Sequence, residues 1–211
     1  MTDESPTAVT EAWRDYGRAN LPAPLAAALS AFADQGYHGT SVREIAARAG
    51  LSVPGLYHHY PSKQSMLQGL LERTMSDLLW RTESAIAAAG DDPVDQFDAV
   101  VEALLQFHIH RREQAFIGST EIRSLDADYR RIYTGQRRHQ QTMVDEVVRA
   151  GVAAGVFVTG VPEDTGRAIT TMCVGVSTWY KPDGRLSPEE IVLRFRRIAR
   201  DTAGYVGPPR D

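Results

Sequence analysis

From Pro22 onward the hydrophobic positions recur three and four residues apart, and no stretch keeps the strict alternation of a half-buried strand. The spacing predicts a first helix opening at Pro22 and Pro24, where a missing N–H costs nothing, with Leu25, Leu29 and Phe32 inward and Gly36 as its stop. Ser41 and Glu44 carry the S-x-x-E pattern of a capping box. They precede a short second helix with Val42, Ile45, Ala46 and Ala49 on its inner stripe. Gly50 ends that helix, Leu51 plugs the turn, and Ser52 caps a third helix that tolerates Pro54 in its first turn and points Leu56 and Tyr60 inward. Pro61 closes it and Ser62 caps a fourth. The face Met66, Leu67, Leu70, Leu71, Met75, Leu78 and Leu79 then continues towards Ala89, a helix of roughly 40 Å.

The same periodicity predicts helices over 93–110, 112–124, 127–152, 163–181 and 188–203, with breaks at Gly90–Pro93, Ser124–Asp126, Gly151–Pro162 and Pro182–Gly184. Val156–Val161 is the one strand-like run, short enough to be a helix end. The pattern is that of an all-α protein of about nine helices, with an N-terminal helix-turn-helix head on a helical body. It divides into a loose arm or partial helix at 1–20, a head at 21–68, a body at 69–205 and a tail at 206–211.

Composition narrows the class. The 211 residues are 43 % hydrophobic and 24 % charged, ordinary for a globular chain. No apolar run approaches the roughly 20 residues that cross a bilayer, and the acidic start MTDESPTAVTEAW lacks the layout of a secretory signal, so a cytoplasmic protein without a membrane partner is expected. The single Cys173 excludes an internal disulfide and a cysteine metal cluster. The formal net charge of −4 argues against coating nucleic acid through bulk charge, but not against site-specific reading by a local patch. Between residues 35 and 63, Arg43, Arg48, Lys63 and three histidines outweigh Glu44.

A helix-turn-helix needs a tight turn and a second helix that projects outward. Ala49-Gly50-Leu51-Ser52 supplies the turn, and the third helix offers Val53, Pro54, Gly55, Tyr57 and His58. Val53 and Pro54 suit thymine methyls, His58 a base or phosphate, and Tyr57 and Lys63 phosphates. Thr40, Ser41 and Arg43, with Ser52, complete the expected contact set. For Tyr60, His59 and Arg48 a packing or solvated role is at least as good a reading.

Catalysis finds little support. His108 and His110 are two apart and do not share a helix face, and His58 and His59 are adjacent, so neither makes a helical metal pair. Cys173 lies in an apolar stripe, the setting of a buried thiol. Neither a catalytic triad nor a nucleotide loop stands out, and no metal or cofactor is expected. The alternative to a DNA-binding regulator is a helical scaffold or protein-interaction dimer without specific DNA binding.

Residues 25–71 carry ALSAFADQGYHGTSVREIAARAGLSVPGLYHHYPSK, with a glycine after the first helix, a Thr-Ser cap, an Ala-Gly turn and a Leu-Tyr-x-His-Tyr-x-x-Lys ending. This stretch resembles the DNA-binding domain of the tetracycline-repressor-like (TetR) family of bacterial transcriptional regulators. Pro54 and Gly55 depart from the commoner polar residues there. The resemblance implies a homodimer paired through the last two helices, a palindromic double-stranded DNA operator and repression relieved by a small-molecule effector. Carried onto this chain, the dimer interface would hold Ile169, Met172, Cys173, Val176, Tyr180, Ile191, Phe195 and Ile198. An intrachain core accounts for the 169–176 stripe equally well.

The phrases RREQAFIGSTEIRSLD, RRHQQTMVDEVVRAGVAAGVF and VGVSTWYKPDGRLSPEEI resemble regulators of fatty-acid or steroid breakdown in actinobacteria, several of which sense acyl-coenzyme A thioesters. Such an effector needs an apolar channel and a cationic mouth. Phe107, Phe116, Met143, Val147, Met172, Val176 and Trp179 are candidates for the channel, and Arg111, Arg112, Arg123 and Arg130 for the mouth. Each has plain core or solvated surface as its commoner role.

Overall fold

The computed structural model describes residues 12–17, 19 and 21–210. Among them are nine α-helices: α1 (Ala23–Gly39), α2 (Val42–Arg48), α3 (Val53–His59), α4 (Lys63–Ala88), α5 (Pro93–His110), α6 (Arg112–Thr120), α7 (Ala127–Ala153), α8 (Pro162–Trp179) and α9 (Pro188–Ala203). Two 3-10 turns, Ala12–Arg14 and Glu121–Ser124, complete the regular structure. The all-α architecture agrees with the hydrophobic spacing, and most boundaries fall where a cap or glycine puts them. Ser62 and Ser65 cap α4 reciprocally, each hydroxyl accepting from the other's backbone N–H. Ser187 and Glu190 make a complete capping box at α9.

The chain forms two compact units. The head unit takes residues 18–77 and 111–137; the body unit takes the segment up to Gly17, Leu78–His110 and everything from Arg138 on. Thus α4 and α7 each contribute to both. In the head unit, Leu25, Leu29, Phe32, Ile45, Leu56, Leu67, Leu70, Leu71 and Ile117 are buried together with Tyr133. Gly69 keeps this core tight, because a Cβ there would stand 3.3 Å from the Tyr60 ring and 3.7 Å from Leu25.

The body unit is organised around α5. Phe97, Val100, Val101, Leu104, Leu105 and Phe107 are buried on it, against Ile169, Cys173 and Val176 of α8 and Ile191 and Ala199 of α9. Two carboxylates lie on the same buried stretch. Asp98 receives Arg200 in bidentate fashion, Nε at 2.8 Å and Nη2 at 2.7 Å, and Arg196 at 3.1 Å. Glu102 receives Arg14 Nε at 2.6 Å and Nη2 at 3.2 Å.

Of the two readings of the N-terminal stretch, residues 12–17 follow the partial helix, with a 3-10 turn at Ala12–Arg14, and not the loose arm; the remainder of 1–20, apart from Ala19, lies outside the described residues. Trp13 is only 1 % exposed and packs against Ala85, Ala99 and Ala103, with Ala88 and Ala89 at the edge. The Arg81 guanidinium donates to the Trp13 carbonyl at 2.5 Å and lies 3.7 Å over the Tyr16 ring, which stacks on His110. Nor are residues 206–210 a free tail. Val206 N–H donates to the Val156 carbonyl, Arg200 donates to the Arg210 carbonyl at 2.6 Å, and the Arg210 guanidinium pairs with Asp95 and Asp92. Finally, Val156–Val158 is not a helix end: Phe157 makes an antiparallel bridge with Tyr205, and its ring lies over Gly151, where a Cβ would come within 2.1 Å of it.

Trp13→Ala empties a pocket lined by alanines, whose methyl groups are too short to fill it. It is expected to lower unfolding free energy by about 3–5 kcal/mol, read as a shift of the urea midpoint at unchanged slope. A loss under ~0.5 kcal/mol, the size of an ordinary surface change, would contradict the docked segment.

Candidate nucleic-acid interface

The reading surface is built on a short glycine turn. At the end of α2, Gly50 takes a φ of +67°, which disfavours any side chain. Its N–H donates to Ala47 and the Leu51 N–H to Ala46, the paired bonds of a Schellman cap. Ser52 then starts α3, its hydroxyl accepting from the Gly55 N–H at 3.1 Å. Leu56 is the fully buried anchor of α3, and Tyr57, His58 and His59 stay exposed. Pro54, Tyr57 and His58 stand at i, i+3 and i+4, so they share one outward face. Val53 is half-buried beside it. Arg43 is exposed on α2.

Other predicted contact residues serve the frame. Thr40 is 2 % exposed, and its hydroxyl is turned to the Ala31 carbonyl at 3.0 Å and the Gly36 carbonyl at 2.8 Å. It finishes α1, where Gly36 breaks the helix with φ 71° and ψ 165°, and its side chain is not presented to solvent. Ser41 is exposed and accepts from the Glu44 N–H at 3.2 Å. The return half of the expected capping box is missing, because the Glu44 carboxylate is held by Gln35 at 2.6 Å and Arg48 at 2.8 Å. Arg48, read as a solvated charge, also pairs with Asp34 at 2.6 Å.

Lys63 has a structural role that was not expected. Its ammonium donates to the carbonyls of Tyr37 at 2.7 Å and Thr40 at 2.8 Å, and lies 4.3 Å over the Tyr37 ring. It clamps the C-terminal end of α1 to the start of α4. Desolvation lowers its pKa, with Glu121 opposing. Tyr37 has its hydroxyl 2.9 Å from the Gln64 amide and donates its backbone N–H to Glu121; burial, then Glu121, raises its pKa. Tyr37, Gln64 and Glu121 are the positioning residues that sequence reasoning missed, since nothing local links positions so far apart.

The predicted effector residues divide between the units. Phe107, Met143, Val147 and Val176 are buried in the body unit, and Met172 is half-buried there. Trp179 is a correction: it is 46 % exposed and stacks on Phe195 at 5.7 Å. Phe116, Arg111, Arg112, Arg123 and Arg130 belong to the head unit. Phe116 is exposed, Arg111 pairs with Asp77 at 3.3 Å, and Arg130 donates to the Arg123 and Leu125 carbonyls, closing the turn before α7. Arg112 and Arg123 are exposed.

Of the predicted dimer residues, Ile169, Cys173, Val176, Tyr180 and Ile191 are buried within the chain itself, which corrects their outward role. Burial pushes the Cys173 thiol up to about 12, so it is no thiolate nucleophile at neutral pH. The outward apolar patch is Trp179 with Phe195 and Ile198, Ile198 being 45 % exposed; Leu193 is exposed on another side of α9. Among the described residues no cluster of three or more histidine, cysteine or acidic side chains fits a metal, and no helix is long and apolar enough to cross a membrane.

Comparison with known proteins agrees with this architecture. Residues 25–70 match the family of bacterial regulatory proteins of the tetR type, and residues 90–203 match a tetracyclin repressor-like C-terminal domain. The chain is 31 % identical over 176 residues to the HTH-type transcriptional repressor KstR2 of Mycolicibacterium smegmatis, covering 82 % of this chain and 85 % of that one. A tetR-family regulatory protein from Rhodococcus RHA1 superposes with a TM-score of 0.80 at 30 % identity, covering 88 % of this chain and 97 % of that one. AibR, solved with isovaleryl coenzyme A and operator DNA, gives a TM-score of 0.73 at 25 % identity over 83 % of this chain and 95 % of that one.

Lys63→Met removes two charge-assisted bonds and leaves two carbonyls short of a donor. The expected cost is about 1.5–3 kcal/mol in thermal or urea unfolding of the protein without DNA. A side chain serving only a phosphate would leave the DNA-free protein unchanged.

Proposed function

Because the chain belongs to the TetR family of bacterial transcriptional regulators, we propose that it is a homodimeric repressor that binds a palindromic operator through α3 and is released by an acyl-CoA-type effector. The observation that carries the DNA contact is the exposed Pro54–Tyr57–His58 face, held on a buried Leu56 and a Schellman turn. Such a face enters a major groove, and a two-fold pair of heads reads half-sites about 35 Å apart. Tyr57 and His58 donate to phosphates or base edges, Arg43 adds charge, and Ser41 and Ser52 retain hydroxyl hydrogens for the backbone.

Pairing is assigned to the outward faces of α8 and α9 around Trp179, Phe195 and Ile198. An isologous contact buries this patch on both copies at once. Repression follows the similarity to a KstR2 repressor. The effector class follows the likeness to AibR with its coenzyme A ester and the apolar side chains of Phe107, Met143, Val147 and Val176 in the body unit. Release needs the effector to bind better to the conformation in which the heads no longer fit the operator. No catalytic step belongs to this protein.

Gel-shift titration of the purified protein on its own upstream DNA tests the reading. Tyr57→Ala with His58→Ala is expected to abolish the specific shift while helical circular dichroism stays unchanged, both residues being exposed. A retained specific shift refutes the contacts assigned to Tyr57 and His58, and absence of any specific complex with the unaltered protein favours the scaffold. In the same assay a saturating acyl-CoA is expected to weaken operator affinity by about 5- to 150-fold, with free coenzyme A as control. If no acyl-CoA across short, branched and long chains changes affinity, the effector class is wrong while the DNA assignment stands.

A further inference from the structure

We propose that α3 reads its operator chiefly through the methyl groups of thymine, with Val53 and Pro54 as the specificity-determining residues. This rests on the DNA-binding reading above. The seven residues of α3, VPGLYHH, include no arginine, lysine, asparagine, glutamine or acid. Those are the side chains that make two-point hydrogen bonds to a base edge. Of the polar side chains on the flanking segments, Arg43 of α2 is exposed and is assigned to the phosphates, and the others do not replace them. Thr40 is buried with its hydroxyl on two carbonyls. Arg48 is drawn back onto Asp34 and Glu44, and Lys63 onto the α1 carbonyls. Ser41 and Ser52 each accept from a backbone N–H, which leaves one hydroxyl hydrogen and one lone pair, a combination that fits the edge of any base pair.

What remains on the face is the isopropyl of Val53, the ring methylenes of Pro54, the 45 % exposed ring of Tyr57 and the His58 imidazole. In the major groove the one apolar marker that distinguishes base pairs is the C5-methyl of thymine. Val53 and Pro54 are the first two residues of α3, and Gly55 beside them has no side chain to hold the helix away from the bases. Tyr57 and His58, a turn later on the same face, reach the phosphates or one purine acceptor. The consequence is an operator with thymine opposite Val53 and Pro54 in each half-site, discriminated by contact area and not by hydrogen-bond pattern.

The test uses the full chain and two chemically matched duplexes. A binding site is first selected from a randomised duplex pool. The selected duplex is then prepared with every thymine replaced by deoxyuridine, which removes the methyl groups and keeps every Watson–Crick pair. Burial of one methyl group is worth about fourfold in affinity, so one in each half-site makes the deoxyuridine duplex bind about fifteenfold more weakly by fluorescence anisotropy. In the double variant Val53→Ala with Pro54→Ala, that ratio is expected to fall below about threefold. The ratio is internal to each protein and is insensitive to a general loss of affinity. Equal binding of the two duplexes within twofold, or an unchanged ratio in the variant, overturns methyl readout while leaving DNA binding intact. Failure to enrich any duplex overturns the DNA-binding reading itself, and methyl readout with it.

Discussion

Two carboxylates on the buried stretch of α5 dictate how the body unit is closed. A buried carboxylate left without a cation costs several kcal/mol, so Asp98 and Glu102 need partners there. The compensation comes from distant parts of the chain. Arg196 and Arg200 of α9 fix that helix on α5 in register, one helical turn apart. Arg14 brings the N-terminal turn to Glu102 and so places Trp13 in its alanine pocket. Arg200 in turn donates to the Arg210 carbonyl, and this holds the C-terminal strap across the start of α5, where Asp92 and Asp95 meet the Arg210 guanidinium. Hydrophobic burial would hold α5, α8 and α9 together in several neighbouring arrangements. The ion pairs select one of them.

In the head unit the same residue types divide into frame and reader. A helix-turn-helix of two seven-residue helices buries little by itself: Ile45, Ala46 and Leu56 are its only fully buried side chains. Its rigidity has to be borrowed. Lys63, Thr40, Tyr37 and Glu121 supply it by satisfying the backbone where α1 breaks at Gly36. The frame is thus built from side chains outside α3, and α3 itself contributes only Leu56 to it.

Local signals made the helices legible and left the partners hidden. Caps and glycines act within four residues, so Ser52, Ser62, Gly50 and Gly90 mark boundaries that the structure places within a residue or two, whereas Gly36 kinks α1, which runs on to Gly39. Periodicity reveals that Ile169, Cys173, Val176 and Tyr180 share a buried face, but not whether their partner is α5 of the same chain or a second copy; it is the same chain. Arg14 to Glu102, Arg200 to Asp98 and Lys63 to Tyr37 join residues 88, 102 and 26 positions apart, and one sequence carries no mark of such pairs. The half-formed capping box at Glu44 shows the reverse error. A correct local motif lost its second half to Gln35 of α1 and to Arg48 one turn on in the same helix. At the interface the type of unit and its exposed helix were legible, whereas the division between contact and clamp was not.

A face with few hydrogen bonds sets a low discrimination per head, and this favours control by a small ligand. Specific regulators exceed their non-specific binding by about 10³-fold or more. A two-headed protein reaches that level with about thirtyfold from each head, because the two contributions multiply. Displacing one head from its half-site then forfeits about thirtyfold, roughly 2 kcal/mol. That lies within the 1–3 kcal/mol typical of coupling between two sites. A reader with stronger base contacts would need a larger preference of the effector for the released state. The proposed weakness of α3 as a hydrogen-bonding reader is therefore compatible with the proposed release by an effector.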